Sequence, residues 1–443
     1  MISLWMQAAR IDSRLRGAFH DQYGSVALAE LAEGTRLKSR LEALRGRSVL
    51  LALEDQLSTA IALLELDGVA RRLVLVTPDV VRETRDAVAA AAGAEVQLTE
   101  LDPTLEPMRR SPAQAATEWV LLTSGTTGTP KLVVHSLASL AGNLPRGTLP
   151  ADAVWSTFYD IRRYGGLQIY LRAVLGGAPL VLSSPAESTA DFLARAGMRG
   201  VTHISGTPSH WRRVLMSDAA GSLQPRYVRL SGEVADQVLL DELHRVYPGA
   251  RIAHAFASTE AGVAFDVDDG KAGFPAELIE GSRNGIEMKV EGGTLRIRSA
   301  RNAARYISDA TPEVVREDGY VDTGDLVELK DGRYYFLGRV GGVINVGGFK
   351  VYPEEVEAVL NGDPRVRVSL VSAKRSPITG ALVVADVVLE DAAARGADDS
   401  ELLRAELLEA CRRALPAHKV PARLRFVPAL ELTSAGKLVR PHA

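Results

Sequence analysis

Residues 121–136 read LLTSGTTGTPKLVVHS. Ser124, Thr126 and Thr127 supply hydroxyl donors, while Gly125 and Gly128 let the backbone bend until its N–H groups converge on an anion. Lys131 adds a cation just past Pro130. The apolar run Trp119 to Leu122 ahead of the loop is strand-like, so the loop leaves the end of a buried strand. Such loops cradle polyphosphates. The spacing is not GxxxxGK[ST], because Lys131 follows a proline and no Ser or Thr comes after it. A turn of this composition taken alone is as readily an ordinary surface loop.

Working outward, SVLLALE (48–54), RLVLVT (72–77) and runs at 118–123, 153–158, 179–183, 201–205, 226–231 and 251–257 read as short buried strands, most of them separated by helical stretches. That alternation predicts an α/β fold with parallel or mixed sheets covered on both faces by helices. The pattern then changes. IEMKVEGGTLRIRS (286–299) alternates around Gly292-Gly293, and VELKDGRYYFLG (327–338) does so around Asp331-Gly332. Both are hairpin signals and predict a small, barrel-like β subdomain. Beyond the Gly-rich segment 340–348 a compact α+β pattern follows. We therefore expect a large N-terminal body over 1–338 and a small α+β C-terminal domain over 339–443.

Composition narrows the function classes. The 443 residues carry a net charge of −3 with no basic face implied, so nucleic acid is not an expected partner. The single cysteine, Cys411, excludes an intramolecular disulfide framework and a cysteine-based zinc site. The eight histidines lack metal-ligand spacing. No apolar run approaches a membrane span, and the first residues lack a basic leader with an apolar core. A reducing, cytoplasmic setting without membrane attachment is expected.

The sixteen-residue string closely resembles the phosphate loop of the adenylate-forming superfamily: acyl-CoA synthetases, nonribosomal-peptide adenylation domains and luciferases. The resemblance implies that Thr123, Ser124, Gly125, Thr126, Thr127, Gly128 and Lys131 hold the phosphates of ATP. It covers nearly the whole chain. Ser231, Gly232 and Glu233 resemble the family's GGE, which borders the adenine. AFASTE (255–260) resembles xYGxTE. There Phe256 takes the place of the adenine-stacking aromatic, beside Ala257 and Ser258. Thr259 would bond the α-phosphate and Glu260 would hold Mg²⁺, a hard cation that prefers carboxylate and phosphate oxygen. Without the phosphate loop, the plain reading would make Phe256 core and Glu260 a helix cap.

YVDTGD (320–325) resembles YxTGD with one extra residue, which makes Asp325 the acceptor for both ribose hydroxyls. GRVGGVINVGGFKVYPEEVE (338–357) resembles the family's hinge motif. Arg339 would meet the ribose, Gly341 falls on the hinge, and Gly347 and Gly348 would line the route of a thiol. Most members carry an acidic residue at the hinge; here 341 and 342 are both Gly, which keeps backbone rotation cheap but removes any latching side chain. The run NVGGFKVYPEEVE is more like acyl-CoA synthetases than peptide-synthetase domains. LELTSAGKLVR (430–440) resembles LPxTxSGKxxR, so Lys437 matches the catalytic lysine.

The acyl pocket is read by position: Tyr159, Tyr164, Gly165 and His203 are its candidates. Arg162, Arg163 and His210 are further possible partners for a polar or dicarboxylic substrate. The leading expectation is a ligase that uses ATP, Mg²⁺ and coenzyme A to convert a small carboxylic acid to its thioester. The alternatives are transfer to the phosphopantetheine arm of a carrier protein, and a nucleotide-binding protein without turnover.

Overall fold

The computed structural model describes residues 3–10, 17–108, 116–123, 130–142, 144, 150, 152–307, 313–376, 380–390, 397–431 and 438–439. Three larger sheets and a C-terminal layer make up these residues. The first sheet has six strands, in the order Arg305–Tyr306, Lys131–Ser136, Glu118–Thr123, Arg72–Leu75, Ser48–Leu51 and Val96–Leu98. Glu118–Thr123 (β1) runs parallel to Arg72–Leu75, while Lys131–Ser136 (β2) returns antiparallel with Thr123 opposite Lys131. Trp119, Val120 and Leu121 are fully buried, as expected for a continuous apolar run covered on both faces.

The second sheet has eight strands. Five of them matter to the site: Trp155–Thr157 (β3), His203–Gly206 (β4), Tyr227–Ser231 (β5), Arg251–Ser258 (β6) and Gly262–Val267 (β7). β3, β4, β5 and β6 are mutually parallel, and β7 folds back antiparallel on β6. Tyr164–Gly176 (α1) packs on the face that presents Trp155. Pro208–Leu215 (α2) covers the opposite face, where Ile204, Val228, Leu230 and Ile252 form a core with Trp211. Proline at the first position of α2 and a reciprocal cap between Thr207 and His210 start that helix directly off β4.

The third sheet is antiparallel and includes Val321–Lys330 (β8) and Arg333–Arg339 (β9). Both expected hairpins are present with two-residue loops: Glu291 pairs Thr294 and Lys330 pairs Arg333. After it, Ile344–Val346 and Phe349–Val351 form a hairpin whose turn is Gly347-Gly348. A three-stranded sheet with helices Pro353–Asn361 and Ala397–Ala414 completes an α+β layer around its own core, including Val356, Val371, Val387 and Leu407. The expected fold class is the one observed. No described helix is long and apolar enough to cross a membrane.

Candidate active site

In a parallel sheet, loops that leave the carboxyl ends of the strands carry the site. β5 and β6 end at Ser231 and Ser258, which brings Ser231–Glu233 and Phe256–Glu260 to one edge. Gly232 turns the chain there with φ +87°, a conformation that side-chain-bearing residues rarely adopt. The Glu233 carboxylate accepts the backbone N–H and hydroxyl of Ser209 at 2.9 and 3.1 Å, on the first turn of α2, where a negative charge complements the helix dipole. It also accepts the backbone N–H of Leu438, 3.1 Å away. A residue near the end of the chain is thereby tied to the strand edge. Tyr159, buried beneath, donates its hydroxyl to the Ser231 carbonyl at 2.6 Å.

A bulge between Phe256 and Ala257 shifts the register of β6 against β7 and re-aims the residues that follow. The Ser258 hydroxyl accepts the N–H of Ala261 at 2.9 Å and closes the turn. Glu260 receives the Tyr306 hydroxyl at 3.2 Å, and Lys131 Nζ lies 5.3 Å from the centre of the Tyr306 ring. Burial and the Glu260 charge push the Tyr306 phenol well above its ordinary value, so it remains a donor. Tyr306 thus joins the base of the phosphate loop to the end of the β6–β7 connection. Glu260 Oε2 has no hydrogen-bond partner among the described residues, which suits a cation that prefers hard oxygen. No cluster of three His, Cys, Asp or Glu side chains fit to bind a metal exists among the described residues. Asp325 and Arg339 face each other across β8 and β9, with Nε to Oδ1 at 3.1 Å.

A model for AMP-binding enzymes matches residues 27–293, and one for the AMP-binding enzyme C-terminal domain matches 355–437. The chain belongs to the AMP-binding enzymes. It is 30% identical over 383 residues to a 2-succinylbenzoate–CoA ligase of Geobacillus kaustophilus (strain HTA426), spanning 80% of this chain and 74% of that protein. It is 27% identical to the mitochondrial acyl-coenzyme A synthetase ACSM4 of Mus musculus, over 72% of this chain and 59% of that one. Among solved structures, o-succinylbenzoate CoA synthetase from Bacillus subtilis, in complex with its acyl-adenylate intermediate, superposes with a TM-score of 0.77 at 20% identity, covering 99% of this chain and 97% of that one. The anthranilate CoA ligase AuaEII with anthranoyl-AMP gives 0.81 at 17% identity, covering 98% and 95%. At such identities the structural likeness speaks for the fold alone.

For this AMP-binding enzyme the structure revises parts of the sequence reading. Ser124, Gly125, Thr126, Thr127, Gly128 and Lys437 lie outside the described residues. His203 opens β4 beside Trp155 and Tyr227, at the amino ends of the strands. Thr207, where the chain leaves this strand toward the site, is four residues on, about 13 Å at strand rise. His203 is therefore removed from the acyl-pocket candidates. His210 stands closer, stacked on Phe158 and edge-on to Tyr159. Arg162 is buried and bound to Asp160 Oδ2 at 2.6 Å and to the Leu53 carbonyl, so it fixes the loop. Gly165 lies against the Tyr159 ring, but the tighter demand is at Gly166, where a Cβ would stand 2.2 Å from the Asp160 carbonyl oxygen. Phe256 is half-buried, stacked on Phe336 at 5.3 Å and Phe265 at 5.9 Å, which anchors the end of β6.

One residue of the phosphate-loop string was not singled out in the sequence. His135 sits on β2, buried, with Nε2 2.7 Å from the Thr259 carbonyl and Nδ1 3.0 Å from the Ser139 hydroxyl. A carbonyl only accepts, so Nε2 carries the hydrogen and Nδ1 is left to accept. Burial lowers the imidazole from 6.5 to about 4, and it is neutral at pH 7. It holds the backbone between Thr259 and Glu260. Within β2 it read as one more residue of a buried strand. His135→Leu should leave that carbonyl unsatisfied and cost about 1–3 kcal/mol in unfolding free energy. Because the folded-state value is depressed, His135 contributes fully above pH 6.5, and its contribution is lost as pH falls through about 4. Denaturant melts of parent and variant at pH 7 and pH 4 should therefore converge at the lower pH.

Proposed function

We propose that this AMP-binding enzyme is an acid–thiol ligase. It joins a small carboxylic acid to ATP as an acyl-adenylate and then passes the acyl group to coenzyme A, releasing pyrophosphate and AMP. The observation that carries the reading is the bond from Leu438 N–H to Glu233, which ties the residue after Lys437 to the edge formed by Ser231–Glu233. A carboxylate is a poor electrophile, and its anhydride with AMP has a good leaving group.

In the first step a carboxylate oxygen attacks the α-phosphorus and the bond to pyrophosphate breaks. Lys131 and the backbone from Thr123 to Gly128 hold the outer phosphates, Thr259 the α-phosphate, and Asp325 with Arg339 the ribose. Glu260 would hold Mg²⁺, which when bound neutralises phosphate charge. Lys437 stabilises the charge that gathers on the transferring phosphoryl group. In the second step the thiol sulfur attacks the acyl carbon, the carbon–oxygen bond to AMP breaks and the thiol proton is released. We assign residues 339–443 as the moving unit, turning about Gly341. Nothing lies within 4 Å of where a Cβ would sit at Gly341 or Gly342, so neither glycine is there to relieve crowding. Gly347 and Gly348, at their hairpin turn, would border the thiol's path. A cytoplasmic setting belongs to this reading, on the strength of the lone buried Cys411.

Mass spectrometry of a reaction with MgATP, coenzyme A and a panel of carboxylic acids tests the reading. A new acyl-CoA is expected. Acyl-AMP without acyl-CoA would shift the acceptor to a carrier protein's phosphopantetheine, and ATP binding with no adenylate from any acid would count against the ligase. A narrower test addresses the ribose. Asp325→Ala removes the acceptor of two hydroxyls and should weaken ATP binding by about 10–100-fold. Arg339 is exposed, so losing its partner should barely change stability. Unchanged ATP affinity in a calorimetric titration would remove Asp325 from the ribose site.

A further inference from the structure

Helix Pro353–Asn361 (α3) carries Glu354, Glu355 and Glu357 in its first turns. The last two serve their own layer. Glu355 pairs with Lys419 at 2.6 Å, and Glu357 accepts the Val371 N–H at 2.8 Å. Glu354 turns elsewhere. Its carboxylate lies against Gly338 of β9, outside the C-terminal layer. A Cβ built at Gly338 would collide with Glu354 Oε2 and stand 2.9 Å from Cδ, so the carboxyl group fills the space a side chain would take. Oε2 is shut off from solvent. Gly338 also has φ +126°, so backbone and space both call for glycine there. A glutamate in the first turn of a helix ordinarily faces water and answers the helix dipole. This one is set into the joint between two layers.

The contact matters because Arg339 follows Gly338. Gly338 pairs with Leu326 and Arg339 with Asp325, so both are registered against β8. The charge of Asp325 first, then those of Glu260 and Glu354, hold the Arg339 guanidinium above its ordinary value. Carboxylates from separate elements thus converge on one cation, and Glu354 is the one that comes from beyond the hinge. Between Arg339 and α3 the chain passes Gly341 and Gly342, which have no side chain to hold either orientation. In the orientation seen, the Leu438 N–H is on Glu233, so the residue next to Lys437 is at the site. A turn about Gly341 that takes α3 away must draw Glu354 off Gly338.

We infer that Glu354 is a positioning residue for adenylate formation: seated on Gly338, it holds the C-terminal layer in the orientation that delivers Lys437 and sets Arg339 toward the ribose. It supplies the latch that Gly341 and Gly342 lack. The inference rests on the ligase reading. The Arg339 side chain is 65% exposed, so charge alone would hold the layer weakly, and the fit of the carboxyl group against Gly338 adds to it. Once the layer has turned, the contact is empty and Glu354 drops out of the second step.

Half-reactions and spin-label distances test it. Glu354→Ala should lower kcat/KM for ATP in acid-dependent pyrophosphate release by about 10-fold. Synthetic acyl-adenylate supplied with coenzyme A should still give acyl-CoA at the parent rate or faster. Glu354→Gln, which fills the same space without the charge, should fall between parent and Glu354→Ala. The melting temperature should stay close to the parent's, because the layers on either side of the contact have cores of their own. An unchanged kcat/KM in Glu354→Ala would overturn the inference, as would equal losses in both half-reactions with a lower melting temperature, the mark of a structural glutamate. A second readout needs no turnover. Spin labels are placed at Glu328→Cys on β8 and Glu409→Cys on helix Ala397–Ala414, both exposed, while Cys411 is buried. Pulsed electron resonance should give mainly one distance in the parent and a second, added distance in Glu354→Ala. If no acid releases pyrophosphate, the ligase reading fails by itself and the distances still decide: redistribution in the variant sustains the latch, and identical distributions overturn it.

Discussion

Lys437→Ala should lose about 10²–10³-fold in acid-dependent pyrophosphate release, the range for removing one preplaced charge from a transferring group. The expectation has two supports. The motif LELTSAGKLVR puts this lysine where adenylate-forming enzymes keep theirs. The Leu438 N–H, one residue on, is bound to Glu233 at 3.1 Å. An ammonium acts in this way only in the conformation that brings it to the phosphate. If residues 339–443 turn between steps, the second step does not need it. Synthetic acyl-adenylate supplied with coenzyme A should then give acyl-CoA at close to the parent rate in the variant. Pyrophosphate release at the parent rate would remove Lys437 from the chemistry. Equal losses in both half-reactions would mean that the substitution disturbs the fold or that the domain does not turn.

Much of the architecture was legible because it depends on local chemistry. Trp119 to Leu122 announced a buried strand, and Gly292-Gly293 and Asp331-Gly332 announced two-residue hairpins, since short-range pattern and turn geometry decide such features. The motif strings located the strand ends that meet at the site. What stayed hidden depends on register and on long-range contacts. His203 and His210 stand seven positions apart, and only the direction of β4 sends one to the far end of the sheet and the other toward the site. Arg162 looked free to meet a substrate, yet its partner Asp160 is two residues away in a buried turn. His135 is joined to Thr259 over 124 positions.

Glu260→Gln keeps the side chain's shape and removes its charge, so it separates a metal ligand from a structural partner. The Tyr306 hydroxyl, 3.2 Å from Oε1, can donate to an amide oxygen nearly as well as to a carboxylate, and Lys131 stays 5.3 Å from the Tyr306 ring. If Glu260 only positioned Tyr306, the substitution would be mild. If it holds Mg²⁺, the variant loses the hard anionic oxygen on which such a cation depends, beside phosphates whose charge the ion must offset. Pyrophosphate release should then fall by about 10²–10³-fold at fixed Mg²⁺, on the scale of losing a principal electrostatic group. The concentration of Mg²⁺ giving half-activation should rise as well. Tyr306→Phe provides the contrast. It removes a hydrogen bond to the ligand but not the ligand, and should weaken metal activation by about 10-fold. A Mg²⁺ titration of both variants decides the point. An unchanged half-activation in Glu260→Gln would leave Glu260 as the partner of Tyr306 alone and send the search for the cation's ligand elsewhere.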